Sequence, residues 1–234
     1  MIKNEKYQDI FQASHDLFLL QGYENTTIRQ IADRAAVSLG LINHFFHSKQ
    51  ELASLILDML LNFARQCCDS RCPCHDDPLL YTTLRTRVNT LYLTSGKYYP
   101  FYLDCLKYDI FFQRLKKSPN TSLYQLAKTY GFPVDDDLFL LYGKYIPYNY
   151  EKTLVLNKES GMFPSISYDE IPDYIIISKF EHFLEKPVLD EALEKAHQIA
   201  AEILEEIPEV VPDSFILQFI SNYMLSESVP AAAP

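Results

Sequence analysis

With 234 residues, 48% of them hydrophobic, the chain can bury a sizeable core, which excludes global disorder. No run of eighteen apolar residues occurs, and a polar start (Met1–Lys6) leads into a helical pattern, so neither a membrane span nor a secretory leader is expected and the cytoplasm is the expected compartment. The net charge of −10 speaks against nucleic acid for the chain as a whole, but residues 1–50 balance five basic groups (Lys3, Lys6, Arg29, Arg34, Lys49) against five acidic ones, so a neutral head can still meet DNA while the body carries the excess charge.

Tyr7, Ile10, Phe11, Ser14, Leu17 and Phe18 recur at helical spacing, and Gly22 stands where that helix should stop. Thr26 and Thr27 offer hydroxyl caps for a short helix reaching Arg34 or Ala35, with Ile28, Ile31 and Ala32 as its buried stripe. Ala36-Val37 makes a tight break, and Ser38 can cap a second short helix to about Phe46. Ser48-Lys49-Gln50-Glu51 has capping-box spacing and opens a long helix whose Leu52, Leu55, Ile56, Met59, Leu60 and Phe63 share one face.

Residues 67–78 form a break rich in cysteine, proline and aspartate. Helices are expected beyond it at roughly 79–95, 98–116, 120–130 and 135–146, the last ended by Pro147. Over 149–170 the pattern fits helix and loop equally. Pro164, Pro172 and Pro187 punctuate the chain up to residue 188, and 189–207 is again helical, with Leu193, Ala196, Ile199, Ala200, Ile203 and Leu204. A last helix is expected over 213–226, then a flexible tail at 227–234.

Two short helices joined by a tight turn, with a third in front, make the trihelical helix-turn-helix arrangement. Its second helix must show small or polar residues to the major groove and hold to the bundle by an apolar face. Ser38, Gly40, Asn43, His44 and His47 suit the first demand; Ile42, Phe45 and Phe46 suit the second. At these residues the chain resembles the TetR/AcrR family of bacterial transcriptional regulators. The string is Leu17-Phe18, Gly22-Tyr23, Thr26-Thr27-Ile28, Ile31-Ala32, Ala35, Val37-Ser38, Gly40, Ile42, His44-Phe45-Phe46, Ser48-Lys49 and Glu51-Leu52.

The resemblance implies an all-α protein: a three-helix DNA-binding head over 1–50 and a larger helical ligand-binding and dimerisation body over 51–226. It implies phosphate contacts from Thr27, Arg29 and Lys49, and groove contacts from Ser38, Gly40, Leu41, Asn43 and His44. It further implies a homodimer on a double-stranded operator, released by a small-molecule effector. The sequence departs from the family pattern in three places. The usual turn glycine is Ala36, which at positive φ costs roughly 1 kcal/mol. An often basic position is Leu39, and an often tyrosine position is Asn43, so phosphate contacts are lost while Asn43 gains the means to read an adenine edge.

Of the 32 aromatic residues, 26 come after residue 50. Each taken singly reads as core, but together they suit an apolar effector pocket, for which Tyr98, Tyr102, Tyr108 and Phe112 are the candidates. Pairing of two copies would use helix 189–207 and the stripe Phe215-Ile216, Phe219-Ile220, Tyr223-Met224, which are equally good core positions.

Cys67, Cys68, Cys72, Cys74 and His75 put four thiols and an imidazole within nine residues. Such ligands suit a soft metal or a redox pair, although the spacing is no recognised paired-CxxC frame. One alternative therefore keeps the fold and makes this cluster a metal or thiol-redox sensor. Another, resting on Leu39 and Asn43, is a helical small-molecule-binding protein with impaired DNA binding. No phosphate loop, nucleophile elbow or HExxH occurs, and Asp135-Asp136-Asp137 reads as a helix start, so no enzyme is expected. No cofactor is expected beyond the effector and a metal at the cysteines.

Overall fold

The computed structural model describes residues 2–72, 77–117 and 122–227, and these are helical with no strand among them. Two compact units emerge, one drawn from Met1–Phe63 and Pro208–Pro234, the other from Ala64–Ile207. No described helix is long and apolar enough to cross a membrane. Of the expected tail, only Glu227 lies within the described residues.

In the first unit, α1 (Ile2–Gln21), α2 (Ile28–Arg34), α3 (Leu39–Phe46) and the start of α4 (Lys49–Asp69) bury the stripes that periodicity marks. Ile10, Phe11, Phe18, Ile31, Ile42, Phe46, Leu52, Ile56, Met59 and Leu60 are buried. Each such side chain contributes roughly 1.5–3 kcal/mol by leaving water. The last helix, α13 (Asp213–Glu227), joins this core: Ile216 and Ile220 are buried, Phe219 meets Phe11 at 6.2 Å between ring centroids, and Phe215 meets Phe63 edge-on at 5.0 Å. The apolar stripe considered for pairing two copies is thus engaged, in large part, within its own chain.

The second unit is organised on α5 (Pro78–Thr94). Asp77 caps it, accepting from the backbone N–H groups of Leu79 and Leu80 at 3.1 and 3.0 Å, and Pro78 occupies the first turn, where no N–H is required. Its buried residues run around most of its circumference, because α6 (Tyr99–Lys107), α8 (Ser122–Tyr130), α11 (Ile171–Phe180) and α12 (Lys186–Glu206) all pack on it. The stripe of α12 is Leu189, Ala192, Ala196, Ala200 and Ile203, whose alanines allow the two helix backbones to approach closely. Leu79, Leu123, Leu126, Ile176, Phe180, Leu189 and Ala192 form one apolar cluster.

Two expectations are corrected. The helix expected over 98–116 is two, α6 and α7 (Ile110–Lys117), separated at Asp109, whose φ is +56° and whose carboxylate accepts from Tyr148 at 2.7 Å and Lys152 at 2.6 Å. Pro147 does not end a helix. After α9 (Asp136–Leu140), capped by Asp135, the coil widens into a π-helical turn at Leu141–Tyr145 and continues as α10 (Ile146–Glu159), with the proline in its first turn. The undecided stretch 149–170 is accordingly helix to Glu159 and loop beyond. Pro172 and Pro187 stand in the first turns of α11 and α12.

Candidate nucleic-acid interface

The turn that leads into α2 is built from hydroxyls. Thr26 is buried and donates to the Gly22 carbonyl at 2.7 Å. Thr27 caps α2 in a reciprocal box: the Gln30 N–H donates to Thr27 Oγ1 at 3.2 Å, and the Thr27 N–H donates to Gln30 Oε1 at 2.8 Å. The box fixes the start of α2 and leaves the exposed Arg29 side chain on its first turn.

Ala36 adopts φ +51°, the left-handed conformation the tight turn requires, and the Val37 N–H closes that turn on the Ala32 carbonyl at 3.0 Å. α3 comes next, held to the bundle by buried Ile42 and Phe46, while Tyr7 packs on Phe46 and Phe45 at 4.4 and 5.6 Å. Its outward face carries Ser38, Leu39, Gly40, Asn43 and His44, all exposed, with Leu41 half-buried. Ser38 holds the N-cap position, but its hydroxyl makes no capping bond. Gly40 has ordinary helical backbone, and a Cβ there would meet nothing closer than Ser38 Oγ at 4.0 Å. Neither strain nor crowding inside the chain calls for glycine at this position. A bare backbone on an exposed recognition face does let another molecule approach closely.

The cations of this unit divide clearly. Arg34 is bound to Asp16 at 2.8 Å, and Lys6 to Asp9 at 3.1 Å. Lys49, expected to meet phosphate, is half-buried: its ammonium donates to the carbonyls of Tyr23 at 2.8 Å and Thr26 at 2.9 Å and lies 4.0 Å from the Tyr23 ring centroid. It ties the start of α4 to the turn before α2. Sequence reasoning missed that bond because the partners lie 26 and 23 residues earlier. Arg29 has no ion pair among the described residues and faces solvent. Ser48 caps α4 as expected, accepting from the Glu51 N–H at 3.1 Å.

Residues 10–56, from the middle of α1 into the start of α4, match the model for bacterial regulatory proteins of the tetR family. The head, over residues 10–56, is of the tetR-family type. Over 62 residues it is 42% identical to the HTH-type transcriptional regulator HbdR of Aromatoleum sp. (strain CIB); the match covers 26% of this chain and about a quarter (27%) of that protein. Among solved structures, similarity extends to a gamma-butyrolactone receptor described as ArpA-like (18% identity, TM-score 0.37, covering 86% of this chain and all of that one). It extends also to the TetR family protein CprB from S. coelicolor A3(2) (15% identity, TM-score 0.37, covering 98% and 100%). These superpositions are too loose to bear on function.

Outside the tetR-family head, the four aromatic candidates do not share one surface. Tyr98 and Tyr102 are buried, Tyr98 against Tyr92, whereas Tyr108 is exposed with Lys107 over its ring. Phe112 stacks on Tyr148 at 4.8 Å, and a chain of rings runs from Tyr148 through Phe111 to Tyr102. The Tyr102 hydroxyl donates to Glu151, as does Thr90 at 3.3 Å; burial lifts this carboxyl to about 7, against the pull of both hydroxyls. The buried Arg87 is answered at both terminal nitrogens: it donates to the Asp169 carbonyl at 3.0 Å, the Asp169 carboxylate at 2.5 Å and Asp173 at 3.1 Å, and Asp173 also meets His197 Nε2 at 2.9 Å. Sequence reasoning singled out neither Glu151 nor Arg87, since each is defined by partners 49 or more residues away.

Cys74 and His75 lie outside the described residues. Among those described, Cys67 is half-buried, Cys68 and Cys72 are buried, all are free thiols, and no three His, Cys, Asp or Glu side chains gather as a metal site would require. Burial pushes the Cys68 thiol up to about 12, the opposite of a reactive thiolate.

Proposed function

We propose that this chain is a ligand-responsive transcriptional repressor that binds a palindromic operator as a homodimer and leaves it when a small molecule occupies the body. The observation that carries the reading is the outward face of α3, where Gly40, Asn43 and His44 stand exposed, with an uncommitted guanidinium, Arg29, on the neighbouring α2. The apolar face of α3 fixes the helix, so its polar face is free to enter a major groove. Asn43 matches the bidentate edge of adenine, and Arg29 matches a phosphate oxygen. Two such heads about 34–36 Å apart would read two half-sites; one alone would hold weakly. An effector that favours a different spacing then lowers operator affinity.

The test is selection from random duplexes at stated salt, followed by mobility shift. The expected product is a palindrome whose binding weakens with Arg29→Ala across all sequences and with Asn43→Ala at one base pair per half-site. Weak, sequence-blind binding would overturn the reading.

A further inference from the structure

Lys179, on α11, is only 6% exposed, with its ammonium 5.1 Å from the Phe180 ring centroid. No carboxylate pairs with it among the described residues. The charge that does act on it is a second cation, the Arg85 guanidinium on the adjoining α5. Arg85 lies over the Tyr81 ring at 5.5 Å, and its Nε is buried with no hydrogen-bond partner among the described residues. Asp69, which accepts from Tyr81, forms no ion pair with Arg85. One turn further along the same face of α5, the Asn89 Oδ1 is also buried and unpartnered. Two residues from Arg85, Arg87 shows what α5 does with an arginine that serves structure: both of its terminal nitrogens meet oxygen.

Two adjacent cations in a poorly polarisable interior repel each other, and a buried ammonium without a partner is driven toward its neutral form. Burial, reinforced by Arg85, lowers Lys179 to about 8. An anion at this place reverses both penalties. We infer that Lys179 and Arg85 receive the anionic group of a small organic acid held between α5 and α11, with Asn89 accepting a hydrogen bond from the same molecule. The inference rests on the reading that the body takes an effector, and it narrows that effector to an acid. Leu84 and Val88 of α5, with Ile175 and Ile176 of α11, are buried on the same two helices and suit an otherwise apolar ligand.

The experiment is isothermal titration of the full chain, without DNA, using hexanoate, benzoate and mandelate, each against its primary amide. At least one acid is expected to bind about tenfold or more tightly than its amide, and Lys179→Met or Arg85→Gln should each remove that preference. If no acid exceeds its amide, or if both variants keep the preference, the inference is overturned. Should Lys179→Met fail to fold, Arg85→Gln carries the test alone. Because DNA is absent, failure of operator recognition leaves this result standing. An operator-binding dimer with an acid-blind body removes the inference and keeps the repressor.

Discussion

Lys49 and Lys179 are both lysines drawn out of water, and they show how differently the two units treat charge. In the tetR-family head, Lys49 ends on two backbone carbonyls, Arg34 ends on Asp16, and Arg29 remains in solvent. Each of these three charges is answered nearby or left available to a partner outside. The body takes ionisable groups inside: Arg87 with two aspartates, Glu151 with two hydroxyls, Lys179 with no anion among the described residues. The head is arranged to present polarity outward, the body to hold it inward.

The largest effect should come from breaking the buried cation that two aspartates meet. Arg87→Ala leaves Asp173 without its guanidinium and opens α5 against the loop before α11. It is expected to destabilise the body by about 3–5 kcal/mol. Denaturant unfolding combined with segment-resolved hydrogen exchange should localise the loss to 64–207; an even loss over both units would blur the contrast between head and body.

Lys179→Met should act in the opposite direction. With its folded pKa near 8 against 10.5 unfolded, the lysine costs stability at neutral pH of about 3 kcal/mol, which the variant recovers. The sign comes from proton counts: the unfolded chain binds the proton more tightly, so the penalty is whole below pH 8 and fades as pH rises towards 10.5. Wild type and variant should therefore converge in alkaline buffer. A constant gap across that range would assign the difference to packing instead of charge.

Acid separates the units further. Glu151 has a raised folded pKa, so its contribution is whole below pH 4.5 and is lost as pH rises through about 7. His15, 3% exposed in the first unit, has a pKa lowered by burial, although Asp16 and Asp213 pull it up. Its contribution is whole above 6.5 and is lost as pH falls below that value. Between pH 5 and 7 the two units should thus shift in opposite senses, and exchange protection measured at both values would show it. Glu151→Gln should flatten the response of the body only.

Much of the head was legible because its chemistry is local. Thr27 reaches Gln30, Ser48 reaches the Glu51 N–H, and Ala36 turns the chain, all within three or four residues. The candidate interface was legible for the same reason, apart from Lys49, whose carbonyl partners are distant in sequence. In the body the signals point the wrong way. The run Ile171-Pro172-Asp173-Tyr174-Ile175-Ile176-Ile177-Ser178-Lys179-Phe180 is buried on nearly every side, so it has no amphipathic period to reveal α11. Pro147 reads as a stop because a π-helical turn cannot be foreseen from composition, and the helices that carry Arg85 and Lys179 come together only when α5 and α11 pack.

The smallest effect is the sharpest test of the outward-facing head. Gly40 sits in an ordinary helical backbone with open space where a Cβ would go. Gly40→Ala should therefore raise the stability of α3 by up to about 1 kcal/mol, through helix propensity alone. If this position is bare so that α3 can lie against DNA, the same methyl group must weaken operator binding while the protein melts at a higher temperature. Stability and binding moving apart can only come from a contact outside the chain. If both rise together, Gly40 does not approach DNA, and recognition has to be sought in Asn43 and His44, one turn further along the helix.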